Sequence, residues 1–246
     1  VYKRQVLQLA WDRTEPDGGG QRLRLWWYGD ALDYTASGYG STSRGEAYGA
    51  DWQRVLRLPG DAVLTLGAEW QAVSYRFGDT FGSGFDRASQ VGAAFAQYDV
   101  PVADRTLLGL GVRYDLHSAY GGQLNPRLGF VHFVTDALRV RGAVGRTFRG
   151  PTFAELYFPG CSDPSLLPES AWSADLGLEY APRAGLVTRV NAFYTDAQNL
   201  IVGGCNPRNV GSARVSGASA ELSGALGEGW QVLALSLIHI SEPTRQ

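Results

Sequence analysis

The chain has 246 residues, of which 32 are glycine, 12% are aromatic, 44% hydrophobic and only 19% charged, a profile that disfavours a helical domain and favours β-structure. A formal net charge of -2 supplies no long-range field to draw in nucleic acid or an anionic surface, so no nucleic-acid partner is expected. Methionine is absent and no charged-then-apolar secretory segment opens the chain, so the natural beginning of an exported protein is expected to lie upstream.

At the front, Val1 to Gln5 can be encoded as GTGTATAAGAGACAG, whose reverse complement encodes Leu235 to His239. The two ends thus read as one inverted pair and resemble translated transposon-adapter sequence, continued by Ile240 to Gln246. Lys3, the sole lysine, falls inside the first of these segments. Residues 1–5 and 235–246 are accordingly expected to be adapter-derived, and 6–234 to be the native part.

Between those ends the dominant signal is two-residue alternation, which places alternate side chains on opposite faces of a strand. A first strand is expected near Val6 to Arg13. Leu23, Leu25 and Trp27 then oppose Arg22 and Arg24, and Leu64, Leu66, Ala68 and Trp70 oppose Thr65, Glu69 and Gln71. Residues 91–98 alternate poorly and are read as strand from their neighbours, as are 128–133. Leu108, Leu110, Val112, Tyr114 and Leu116 oppose Gly109, Gly111, Arg113, Asp115 and His117; Leu138, Val140, Val144 and Phe148 oppose Arg139, Arg141, Thr147 and Arg149. Ala174, Leu176, Leu178 and Tyr180 oppose Asp175, Gly177 and Glu179, and a last strand begins near Trp230.

Alternation alone also fits a soluble β-sandwich. The connections favour another architecture. Tight polar turns at 59–61, 101–104, 135–137, 182–185 and 227–229 take turns with longer segments at 78–88, 118–123, 150–172 and 202–209. Short turns at one rim and long loops at the other describe an all-β, antiparallel, up-and-down transmembrane β-barrel, here about a dozen strands of a larger barrel. No apolar run reaches the ~18 residues of a spanning helix, so any crossing must be made by strands. Trp26, Trp27, Tyr28, Tyr75, Phe77, Phe193 and Tyr194 would suit an interfacial girdle, against the alternative of ordinary aromatic core packing.

From Leu124 the motifs follow a recognisable order: LNPRLGF (124–130), TFRGPTFAELY (147–157), DPSLLPE (163–169), LGLEY (176–180), NAFYTDAQNLI (191–201) and NVGSARVSGASAEL (209–222). The ordered set resembles the barrel of TonB-dependent outer-membrane receptors over roughly 81–222, with its best likeness in the cobalamin and iron-siderophore group. The resemblance implies localisation in the outer membrane of a Gram-negative bacterium. It implies uptake of a scarce small-molecule ligand (a metal chelate or corrin) and energy delivered by TonB through a plug domain that lies upstream. A passive channel or adhesin barrel without a plug is the alternative.

Glu69, Arg113, Arg139 and Arg141 point to the lumen by alternation, where the resemblance implies contact with the plug and the bland alternative is solvation by lumen water. Cys161 and Cys205 fall in consecutive long loops on the expected oxidising side, where a loop-to-loop disulfide between them is expected, the alternative being two separate thiols. If the chain is a receptor, ligand contacts are expected in 81–85, 120–123, 157–167 and 203–208, with Phe81, Phe85, Tyr120, Tyr157, Phe158 and Arg208 as stacking and charged candidates. No metal site, cofactor or enzyme activity is expected. His117 and His132 are isolated, nucleophile-elbow and zinc motifs are missing, and Ser118 follows His117 directly and so faces the other way.

Overall fold

The computed structural model describes residues 1–227 and 229–243. Its strands are β1 (Tyr2–Thr14), β2 (Gly20–Ala36), β3 (Tyr39–Arg57), β4 (Val63–Asp79), β5 (Gly84–Ala103), β6 (Thr106–His117), β7 (Gly121–Phe133), β8 (Leu138–Arg149), β9 (Glu169–Arg183), β10 (Leu186–Val202), β11 (Arg208–Gly227) and β12 (Trp230–Pro243), with a short α-helix, α1 (Phe153–Tyr157), between β8 and β9 and a 3-10 turn (Pro59–Asp61) between β3 and β4. Every strand pairs antiparallel with its sequence neighbours in a single 12-stranded sheet of order β1 to β12. This up-and-down meander is an open segment of barrel wall. β1 and β12 run through 2–5 and 235–243, the segments that the codons make suspect.

The register sorts side chains onto two chemically distinct faces. Direct cross-strand partners share a face, so Arg24, Asp51 and Glu69 stand in one row, and Arg139, Glu179, Arg189 and Glu221 in another. On the opposite face Leu110, Leu116, Leu176 and Leu178 remain 44%, 56%, 55% and 41% exposed, whereas the buried apolar side chains among the described residues reduce to Ala62, Ala72, Leu156 and Leu166 and the loop prolines Pro151, Pro168 and Pro207. A sandwich would bury that apolar face against a second sheet; here it is left bare, which is the pattern of a wall with an apolar medium outside it.

Glycine on strands has a packing reason. Trp26 pairs directly with Gly49 and its ring lies over the glycine, so that a Cβ there would come within 2.6 Å of the indole. Phe130 covers its partner Gly142 in the same way. The β2–β3 hairpin closes through Ser37 and Gly38 with φ of 50° and 85°, two left-handed residues whose twist matches that of the flanking strands.

Several expectations are corrected. The segments read as long loops at 78–88, 118–123 and 202–209 shrink to 80–83, 118–120 and 203–207, because cross-strand pairing continues far outward; only 150–168 is a long excursion. Of the proposed aromatic girdle, Trp27 and Tyr194 lie in rows with the apolar face. Trp26, Tyr28, Tyr75, Phe77 and Phe193 share parity with Arg24, Glu69 and Arg189, and belong to the polar face. Pro126 lies well inside β7.

Candidate functional site

The polar face carries the first group of expected site residues. The Arg113 guanidinium donates to Glu69 at 2.6 Å and to Asp115 at 3.0 Å, and Asp115 is the one buried charged residue among those described. Arg139 pairs with Glu179 at 2.8 Å; Glu179 also holds Arg189 at 2.9 Å, which reaches Glu221 at 2.9 Å. Arg141 donates to Asn191 Oδ1 at 3.2 Å. All four lumen candidates therefore lie on one face, each already engaged by a side chain of the same sheet: Glu69 and Arg113 across β5, Arg141 across β9, and Arg139 from the adjacent β9. Alternation located them and put Asp115 beside Arg113 on one strand, whereas the row that joins Arg139 to Glu179, Arg189 and Glu221 depends on the register of β8 to β11. A groove of ≈ 640 Å³ runs along this face past Arg24, Asp51, Glu69, Arg113 and Asp115 to Tyr120.

At the rim, the 150–168 excursion starts with a local sequence device. Thr152 is the N-cap of α1: its hydroxyl accepts from the Glu155 N–H at 3.2 Å, while the Glu155 carboxylate accepts from the Thr152 N–H at 2.6 Å, a reciprocal capping box. Arg149, at the end of β8, clamps Glu155 and Glu169 together, donating to the latter at 2.7 and 2.9 Å. Burial works against the Glu155 carboxylate, but the Thr152 N–H and Arg149 outweigh it and hold its carboxyl below the usual range. The far end of the excursion is fastened by Asn209, whose amide accepts from Leu167 N–H at 2.8 Å and donates to Leu167 O at 2.9 Å and Asn199 O at 2.7 Å. Between these anchors Cys161 and Cys205 form a disulfide with Cα atoms 4.3 Å apart, joining the excursion to the β10–β11 loop.

So fastened, α1 reaches over the polar face to β4 and β5. Phe153 stacks on Tyr75 with ring centroids 6.3 Å apart, Phe158 meets Phe77 at 5.0 Å and Phe85 at 6.5 Å, and the Arg87 guanidinium lies 5.0 Å from the Tyr157 ring. Since the excursion folds over this face, it is the inner one.

The six ligand candidates thus divide. Phe85, Tyr157 and Phe158 gather in one cluster with Tyr75, Phe77 and Phe153. Phe81 stands apart, 77% exposed, with its ring 6.0 Å from Tyr39. Tyr120 stacks on His117 at 3.9 Å and meets Phe148 edge-on at 6.3 Å; burial, assisted by Asp115, pushes its hydroxyl above the ordinary range. Arg208 is exposed at the start of β11 beside the bridged loop. The helix, its capping box and the Asn209 clamp were not anticipated, although Pro151-Thr152-x-x-Glu155 is a legible helix start.

The family model described as TonB dependent receptor-like, beta-barrel matches residues 2–241. The ferric enterobactin receptor of Pseudomonas aeruginosa is 25% identical over 245 residues, covering 86% of this chain and 32% of that protein. The vitamin B12 transporter BtuB of Vibrio vulnificus is 29% identical over 148 residues, covering 57% of this chain and 23% of that protein. Among solved structures, the siderophore receptor PirA from Pseudomonas aeruginosa superposes with a TM-score of 0.84 at 21% identity over 98% of this chain and 48% of its own, a likeness of fold. The chain spans about a third or less of the length of these curated relatives. These relatives are receptors and transporters rather than enzymes, and with a family model matched along nearly its whole length the chain belongs to the β-barrel family of TonB-dependent receptors.

Proposed function

We propose that the whole protein is an outer-membrane receptor of a Gram-negative bacterium that takes up a scarce small molecule, an iron–siderophore complex or cobalamin. TonB would supply the energy through a plug domain outside this chain. The observation that carries this reading is the aromatic cluster of α1, β4 and β5, held over the inner face by the capping box, the Asn209 clamp and the disulfide. Flat rings beside Arg87 and Arg208 suit a chelate or corrin, which is large, partly apolar and often charged. The names of the relatives point to the same two ligand classes. The bare apolar face would meet membrane lipid. Glu69, Arg113, Arg139 and Arg141 would line the space that the plug fills, Phe81, Tyr120 and Arg208 would widen the ligand contact at the rim, and residues 1–5 and 235–246 would be absent from the natural protein.

The test is equilibrium binding of ferric enterobactin and of vitamin B12 to the detergent-solubilised full-length receptor. One of the two binds, and the variants Tyr157→Ala and Phe158→Ala each weaken it by about tenfold, the scale of one lost aromatic contact. If neither probe binds, or both variants bind like the parent, the assignment of this cluster fails.

A further inference from the structure

The barrel wall is incomplete between β7 and β8. Their ladder covers only Arg127 to Phe133 against Gly145 to Arg139, yet β7 begins at Gly121 and β8 continues to Arg149. Above that point β7 stays paired with β6 through Gly121, and β8 stays paired with β9 through Arg149, so the two halves of the wall part along a seam toward the rim.

Pro126 accounts for where the seam opens. Leu124 O accepts from Arg146 and so faces β8; backbone groups two residues apart in a strand point the same way, so the nitrogen of Pro126 faces β8 as well, and it has no hydrogen to donate. The ladder cannot pass that residue.

Arg146 lies immediately above the last ladder pair. By register it sits opposite Trp172, between inward-facing Gly145 and Thr147, and so starts from the apolar, outward face. Its guanidinium nevertheless donates to Leu124 O at 2.8 Å and to the side chains of Gln123 at 3.1 Å and Asn125 at 3.5 Å, both of which belong to the inner face through their partners Asp115 and Arg113. The side chain therefore passes from the outer parity into the gap and reaches three neutral acceptors of the facing strand. Directly above, Phe148 of β8 meets Tyr120 of the β6–β7 turn.

We propose that Arg146 is a positioning residue that closes the β7–β8 seam, its forked guanidinium replacing the backbone ladder that Pro126 interrupts. In doing so it fixes the upper half of β7 and the 118–120 turn, and with them Tyr120, at the mouth of the barrel. A planar fork with several fixed donors can span a backbone carbonyl and two side-chain oxygens at once; a lysine ammonium is a single point charge and cannot. The role of Tyr120 toward ligand rests on the receptor reading above, whereas the seam itself does not.

The test is hydrogen–deuterium exchange on the full-length receptor in detergent, for the parent, Arg146→Ala and Arg146→Lys. Amides of 118–125 and 146–149 exchange about tenfold faster in the alanine variant, the ratio set by losing one charge-assisted hydrogen bond. The lysine variant recovers only part of the protection, and the 127–133 and 171–180 ladders remain as slow as in the parent. Unchanged exchange at 118–125, a loss of protection spread evenly over all strands, or full recovery with lysine would each overturn the proposal. Should the alanine variant not refold, Arg146→Gln, which can still reach one acceptor, takes its place with the same outcomes. Binding of ferric enterobactin or vitamin B12 is measured on the same samples. Failure of both to bind the parent refutes the receptor reading while the exchange result still decides the seam.

Discussion

Glu155 does two jobs, capping α1 and accepting from Arg149, and its chemistry makes a pH prediction. Its carboxyl is held below the usual range in the folded protein, so its contribution is fully present above the ordinary glutamate value of ~4.3 and is lost as pH falls through the depressed one. Glu155→Gln should lower stability by about 1 kcal/mol at pH 7. That difference from the parent should shrink below pH ~4, which chemical denaturation at pH 7 and pH 3.5 would measure. Asn209 is the comparable residue at the other anchor: Asn209→Ala strands both backbone groups of Leu167 and the Asn199 carbonyl. Limited proteolysis should then cut within 158–168 several-fold faster, with cleavage in the strands unchanged. The role of Asn209 could not be read from the sequence, because its partner Leu167 lies 42 residues away. The capping box, whose members are three residues apart, could have been.

At the scale of elements, the long excursion is a fastened strap. The disulfide closes a sequence separation of 44, worth about 4 kcal/mol as a chain-entropy upper estimate. Reduction, or Cys161→Ser with Cys205→Ser, should lower the unfolding midpoint and free the middle of the excursion, while α1 stays docked through its cap and aromatic contacts. A fluorescent label near Tyr157 would report undocking, and a large change on reduction alone would show that the disulfide, rather than the cap and rings, holds the helix. The aromatic residues of β4 illustrate what the sequence allowed. Tyr75 and Phe77 share parity with Glu69, so their inward direction was available from period two. Their aromatic character nevertheless suggested a girdle, and only the return of α1 over the inner face reveals a packing partner inside.

For the whole molecule, the sheet is a strip whose first and last strands have one unpaired edge each among the described residues. Unpaired backbone groups are not tolerated within hydrocarbon. The isolated 246-residue chain should therefore give no reversible heat-modifiable band in detergent, whereas the full-length receptor should; a modifiable band from the isolated chain would contradict this. The architecture itself was legible in residues such as Leu108 to Leu116 and Arg139 to Arg149, since period-two patterning is a local consequence of strand geometry and each strand pairs with its neighbour in sequence. Sequence by itself thus determined the strand faces, their order and the family. Tertiary structure decided what depends on distant atoms meeting: which carboxylate each inner arginine takes, how far pairing runs into the loops, where α1 lands, and that Arg146 crosses the wall at Pro126. A repeating pattern encodes one strand's faces, but a contact between strands requires the register of both.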